Sequence, residues 1–217
     1  MISRQNLKVQ VAEHIRAMIF SGEVRPGSRV DQDLIAEQVG VSRLPVREAL
    51  IMMEGEGLIT NQVRRGYFIA NLTPEDLHDH FYIFGLLAGL AAERAAAKMM
   101  PEELDRLREI LAQSADTEDP RALNRLNEEF HAIINRNAGS RRLRVALGVL
   151  ADSMPRSFFE LNPGREKLAR AEHAEIIDAL ARRDGDAARS LMLTHLRDSG
   201  DFVVEALRER GFWDTDT

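Results

Sequence analysis

Six histidines occur in the 217-residue chain, and three of them stand where coordination chemistry is possible. His131 shares a helical stripe with Leu123, Asn127 and Ile134; His173 with Ala169, Ile176, Ile177 and Leu180; His195 with Leu191, Met192 and Phe202. That spacing turns each imidazole toward the apolar side of its own helix. A single inward histidine is ordinarily a hydrogen-bonded core residue, and each of the three reads that way on its own. Three on separate helices of one bundle also match the way bundle cores build metal sites from facing side chains. Neutral imidazoles with an open position suit zinc, nickel or a similar divalent ion, and Asn127, one turn before His131, can add a carbonyl oxygen. Spacing alone leaves core packing and metal binding both open.

A second constellation is cationic. The run Val39 to Leu50 reads Val-Gly-Val-Ser-Arg-Leu-Pro-Val-Arg-Glu-Ala-Leu. Ser42 is a suitable N-cap, Pro45 is tolerated early in a helix, and Val46, Ala49, Leu50 and Met53 recur at helical spacing. Arg43 and Arg47, four apart, project together from the start of that helix. Before it, Leu34, Ile35, Ala36 and Val39 mark a shorter helix opened by Asp31 or Asp33 and closed by Gly40. Helix, glycine-containing turn, and a second helix with arginines at its start is the layout of a helix-turn-helix, whose second helix enters the major groove of DNA. The plainer alternative is a helical hairpin with two solvated arginines.

The elements around these residues follow from pattern. Val11, Ile15, Met18 and Ile19 predict a first helix over about Leu7 to Ser21, ended by Gly22. Beyond the arginine-bearing helix, Leu58-Ile-Thr and Tyr67-Phe-Ile-Ala read as two strands joined by Val63-Arg-Arg-Gly. Gly66 supplies a positive φ in that turn. Beside a helix-turn-helix, such a hairpin is a wing, and Arg64 and Arg65 at its tip can meet a phosphate or the minor groove.

From Thr73-Pro-Glu-Asp onward everything reads as helix: about 74 to 100, one from Pro101, 120 to 138, 141 to 154, 163 to 183 and 186 to 210. Short connections predict an antiparallel bundle of six or seven helices. The expected fold is therefore mainly α, with a winged helix-turn-helix over 1–70 and an all-α domain over 71–217.

Composition bounds the partners. Net charge is −6, yet residues 1–70 hold nine Lys/Arg against eight Asp/Glu, so the acidic excess lies outside the expected DNA module. No stretch approaches the roughly 20 apolar residues of a membrane span, and the N-terminus lacks the apolar run of a secretion signal. A cytoplasmic protein without a membrane partner is expected. Zero cysteines exclude disulfides and thiolate metal sites.

These segments also carry a resemblance. Ser-Gly-Glu-Val-Arg-Pro-Gly-Ser-Arg-Val, then Leu-Ile-Ala-Glu-Gln-Val-Gly-Val-Ser-Arg-Leu-Pro-Val-Arg-Glu-Ala-Leu, then Glu-Gly-Glu-Gly-Leu-Ile and Arg-Arg-Gly-Tyr-Phe-Ile resemble the winged helix of GntR-family bacterial regulators over about residues 9–70. The resemblance implies DNA contacts from Ser42, Arg43, Pro45 and Arg47 on the recognition helix and from Arg64, Arg65 and Gly66 on the wing. Leu44 replaces a common threonine, and Asp33 stands where some members have a DNA-contacting arginine.

Asn127-Glu-Glu-Phe-His131, Glu172-His-Ala-Glu-Ile-Ile-Asp-Ala-Leu and Ala187-Ala-Arg-Ser-Leu-Met-Leu-Thr-His195-Leu are similar to the FCD effector-binding domain of the FadR subfamily, over about 74–210. That likeness implies a divalent metal held by Asn127, His131, His173 and His195, with an effector, often a carboxylate, completing its coordination. Members often carry an arginine and, four residues on, a glutamate in the first helix of this domain; here those places are Phe84 and Ala88. Arg144, Arg156 and Arg170 remain as candidate anion partners or surface charges.

The expectation is a dimeric, ligand-responsive transcriptional repressor that reads a palindromic operator and is not an enzyme. The alternative is a metal-dependent hydrolase with a DNA-targeting domain. That reading needs a general base beside a metal-bound water. Glu128 and Glu172 each adjoin a ligand in sequence, but neighbouring helical residues diverge by about 100°, so neither is well aimed.

Overall fold

The computed structural model describes residues 4–214, with side chains from residue 7. Those residues divide into two compact units. The first holds the chain up to Pro74 together with 152–156 and the segment from Glu205 onward; the second holds Glu75–Ala151 and Ser157–Val204. No described helix is long and apolar enough to cross a membrane.

In the first unit, α1 (Arg4–Phe20), α2 (Gln32–Val39) and α3 (Arg43–Gly55) surround one core. Val11, Ile15 and Ile19 of α1 are buried with Ile35 of α2 and with Val46, Leu50 and Met53 of α3. Asp31, rather than Asp33, caps α2: its carboxylate accepts from the Asp33 and Leu34 amides at 3.0 and 3.1 Å. Gly40 closes the helix in the left-handed region, φ +71°, where a side chain would cost energy. Buried among this packing, Arg16 donates to both carboxylate oxygens of Glu56 at 2.7 Å.

The antiparallel pair β1 (Ile59–Gln62) and β2 (Gly66–Ile69) follows, in the register Ile59↔Ile69 and Gln62↔Gly66. A bridge from Arg29 to Phe68 adds the extended piece before α2 to the free edge of this hairpin. The sequence expectation of a division near residue 70 did not place the C-terminal segment here. Its anchors include two polar contacts: Arg210 Nη1 donates to the Phe20 carbonyl at 2.9 Å and Trp213 Nε1 to that of Leu72 at 2.7 Å. Neither has a periodicity to betray it.

The second unit is helical: α4 (Pro74–Ala96), α5 (Pro101–Ala115), α6 (Pro120–Asn137), α7 (Arg141–Asp152), α8 (Phe158–Leu161), α9 (Arg165–Ala181) and most of α10 (Gly185–Glu209). Ala88, Ala91, Ala92 and Ala95 of α4, Phe130 and Ile134 of α6, Ile176 and Leu180 of α9 and Met192 of α10 form its core. Small residues let α4 and α10 approach closely. A Cβ on Gly89 would lie 2.9 Å from the Arg189 carbonyl oxygen, and one on Gly200 2.7 Å from Phe81 Cβ. The four-residue α8 makes the number seven, but it lies between the spans expected from sequence, 141–154 and 163–183. The Phe159 amide ties it to Asn124 Oδ1 of α6 at 3.0 Å.

Candidate nucleic-acid interface and metal centre

The inner face of α3 is consumed by packing, so its outer face is what remains for a partner. Ser42, Arg43, Leu44 and Arg47 are exposed, whereas Pro45 is buried beside Val46. Of the expected recognition-helix residues, Pro45 is thus turned inward, where its ring packs and shapes the helix start. Ser42 occupies the N-cap position without making a side-chain capping bond. Arg43 is paired with Asp33: Nε and Nη2 donate to the two carboxylate oxygens.

At the wing, the Arg65 amide donates to the Gln62 carbonyl at 2.9 Å, closing the turn. Gly66 takes the positive φ expected of it, +97°, but so does Arg64, at +64°. A non-glycine residue rarely sits there, and the cost of such a conformation is borne readily where position matters. Arg64 and Arg65 are both exposed, and the Arg65 guanidinium stands 5.5 Å from the centre of the Phe68 ring. Arg29, exposed and bridged to Phe68, adds a third cation beside the hairpin. Sequence reading passed over it because its bridge is a long-range pairing.

In the second unit the three histidines come together from α6, α9 and α10. The ring nitrogens that could ligate an ion lie within 4.8 Å of one another, and His131 Nε2 is 3.3 Å from His195 Nε2. Two nitrogens bound at roughly 2.0–2.1 Å to one tetrahedral zinc lie about 3.3 Å apart. His195 Nδ1 meets Glu172 Oε2 at 2.6 Å. That contact places the proton on Nδ1 and leaves Nε2 with a free lone pair, as in carboxylate–histidine–metal triads. His173 Nε2 is buried with no hydrogen-bond partner, and the ring stacks on Phe130, centroids 3.8 Å apart.

Electrostatics point the same way. Burial holds His131 down at about 4, with the Arg165 charge acting in the same direction. Burial, then the neighbouring imidazoles and Arg165, hold His173 and His195 well below the usual histidine range. Three neutral rings with converging lone pairs and one orphaned nitrogen fit a borderline metal ion. Asn127 lines a small cavity that His173, Phe159, Ala169 and Arg170 also line.

Sequence reading missed Arg165. It is 1% exposed, and its Nη2 donates to Glu172 Oε2 at 2.6 Å, the His195 carbonyl at 3.0 Å and Ser199 Oγ at 3.0 Å. Its Nε and Nη1 are buried without a partner. Among the arginines considered from sequence, Arg170 donates to the Ser114 carbonyl at 2.7 Å, while Arg144 and Arg156 are exposed. Glu172 braces His195 and Arg165, which is a different task from that of a general base.

A helix-turn-helix with a basic hairpin, followed by an all-α unit, defines a winged-helix DNA-binding regulator. Similarity carries the assignment further. The family profile described as "Bacterial regulatory proteins, gntR family" matches residues 7–69, and that of the "FCD domain" matches residues 81–198. The chain belongs to the GntR family of bacterial transcriptional regulators, among those that carry an FCD domain.

It is 31% identical over 183 residues, 84% of this chain and 75% of the relative, to the uncharacterized HTH-type transcriptional regulator Rv0043c of Mycobacterium tuberculosis. It is 26% identical to the HTH-type transcriptional repressor RspR of Escherichia coli, over 96% of this chain and 94% of that one. The solved structure of E. coli McbR/YncC shares the fold: the TM-score is 0.69 at 20% identity, covering 94% of this chain and 99% of that one.

Proposed function

We propose that the protein is a dimeric, FadR-subfamily repressor that works in the cytoplasm, binds a near-palindromic operator, and responds to a small anionic effector at a metal centre in its helical unit. The observation that carries the sensing half is the convergence of three neutral imidazoles, His173 and His195 buried and His131 half-buried, with one nitrogen left unpaired. His131, His173 and His195 would hold the ion, with Asn127 as a further oxygen donor; zinc or nickel suits that set. Bound there, such an ion would supply a Lewis acid for a carboxylate oxygen.

The protein's own residues orient the rest. Glu172 fixes the tautomer of His195, and Phe130 holds the plane of His173. Arg165 and Glu172 offset each other, so a divalent ion leaves the pocket with a net positive charge that favours an anion. The Arg165 charge acts on all three imidazoles, which favours an anion beside them. On the DNA side, Arg43 and Arg47 read base edges while Ser42, Arg64, Arg65 and the close backbone at Gly66 position the module on phosphates. The effector changes DNA affinity only by binding the DNA-competent and DNA-incompetent arrangements unequally.

The test is a thermal-shift screen of small carboxylates on metal-loaded and chelated protein, with hits carried into operator binding. One acid should raise the melting temperature only when metal is present, and should change operator affinity. Protein that takes up no ion, or hits indifferent to chelation, would remove the metal-centred sensor. In a gel-shift assay Arg47→Ala should abolish operator binding; wild-type affinity in that variant would take α3 out of the interface.

A further inference from the structure

We propose that Asp33 is a positioning residue for base readout: it grips one edge of Arg43 and so aims the opposite edge of the guanidinium at a guanine in each half-site. The inference rests on the DNA-reading role of α3 proposed above.

Three observations carry it. First, Asp33 is not needed as a cap. Asp31 already accepts from the backbone amides of Asp33 and Leu34 at the start of α2, which leaves the Asp33 carboxylate available for another task. Second, the pairing is two-pronged and uses one defined edge. Nε donates to Oδ1 and Nη2 to Oδ2, which engages the side-on fork of the arginine. Guanidinium carries five N–H donors; this pairing leaves free the end-on edge formed by Nη1 and the second hydrogen of Nη2. A fork of that shape matches O6 and N7 of guanine in the major groove. Third, both partners lie on the surface, the side chains of Arg43 and Asp33 being 74% and 63% exposed. An ion pair so placed adds little to folding stability, so holding the domain together does not account for it.

Position completes the argument. Arg43 is the first residue of α3, and the N-terminal residues of a recognition helix are those that reach base edges. A long side chain fixed before docking loses less rotamer freedom on docking. The carboxylate also repels phosphates, so it lowers affinity for DNA of any sequence while leaving a correct guanine contact intact. Discrimination between sequences rises even if affinity does not.

The experiment is selection of bound duplexes from a randomised pool by the full chain, followed by affinity measurements on the selected site and on a scrambled duplex. Wild type, Arg43→Ala, Asp33→Ala and Asp33→Glu are compared, with thermal melts to confirm folding. Wild type should select a guanine at one position of each half-site. Arg43→Ala should lose that preference, by roughly five- to a hundredfold as a bidentate contact implies. Asp33→Ala should blur the same position alone while binding the scrambled duplex as well as wild type or better. Asp33→Glu, which keeps a carboxylate, should recover much of the preference.

A guanine that survives Asp33→Ala but not Arg43→Ala overturns the positioning role and leaves the role of α3 standing. A parallel loss of affinity for every duplex in Asp33→Ala overturns it too, since that is the signature of a purely structural residue. A wild-type chain that selects no motif overturns both this inference and the DNA-reading function beneath it.

Discussion

Glu172 carries two tasks with one oxygen. Its Oε2 stands 2.6 Å from both His195 Nδ1 and Arg165 Nη2, so it braces a candidate ligand and partners a buried cation together. Glu172→Gln keeps the shape but weakens the pull on the imidazole. Metal affinity should fall about 10- to 100-fold, read by competition with a chromophoric chelator; the melting temperature should fall less than in Glu172→Ala, because the amide still accepts a hydrogen bond from Arg165 although it no longer offsets its charge. Glu172→Ala should also leave the Arg165 charge uncompensated and cost about 3 kcal/mol in denaturant unfolding. An alanine variant as stable as wild type would show that water replaces the carboxylate. The histidines were legible because helical period alone aims a residue inward. Arg165 was not, because Arg165-Glu-Lys reads as a solvated first turn and the helix was expected from Pro163; its actual N-cap is Gly164, in the left-handed region at φ +96°.

At the scale of elements, the wing and the α4–α10 crossing invite opposite substitutions. Arg64 occupies a backbone conformation that favours glycine, so Arg64→Gly should stabilise the hairpin by up to about 1 kcal/mol. The same change removes the phosphate contact proposed for Arg64 and should flatten the salt dependence of DNA binding by about one unit of slope. A variant both less stable and unchanged in salt slope would refute that account of the wing. Gly89→Ala instead places a methyl 2.9 Å from a backbone carbonyl. The two helices must move apart, and the melting temperature should drop by several degrees, corresponding to roughly 1–3 kcal/mol. Long amphipathic helices and the hairpin were readable from period and turn chemistry. The four-residue α8 was not, because one turn of helix carries no period and its anchor, Asn124, is 35 residues away in sequence.

Across the molecule, charge and proton uptake shape what the chain tolerates. His80 of α4 keeps Nε2 buried without a partner, and burial lowers it to about 4 against the raising effect of a hydrogen bond to the Leu150 backbone. Its folded value therefore lies below the roughly 6.5 of an unfolded histidine. The stabilisation from keeping it neutral is complete above about pH 6.5 and is lost as pH falls toward 4. Discounted for partial exposure, it amounts to about 1–2 kcal/mol at pH 5. His80→Gln should lose less stability than wild type between pH 7 and 5 in parallel thermal melts; identical losses would mean that His80 is wetter than its packing indicates.

The partition of charge along the chain was visible in composition. The membership of 205–214 in the first unit was not, since its contacts, among them those to Phe20 and Leu72, span most of the chain and only a folded chain can make them.

The three imidazoles come from positions 131, 173 and 195, on separate helices. A growing polypeptide has no such cluster until α10, which carries the third ring, has emerged and packed against α6 and α9. An ion held as proposed could therefore be taken up only after that step, and a product truncated ahead of α10 should take up none.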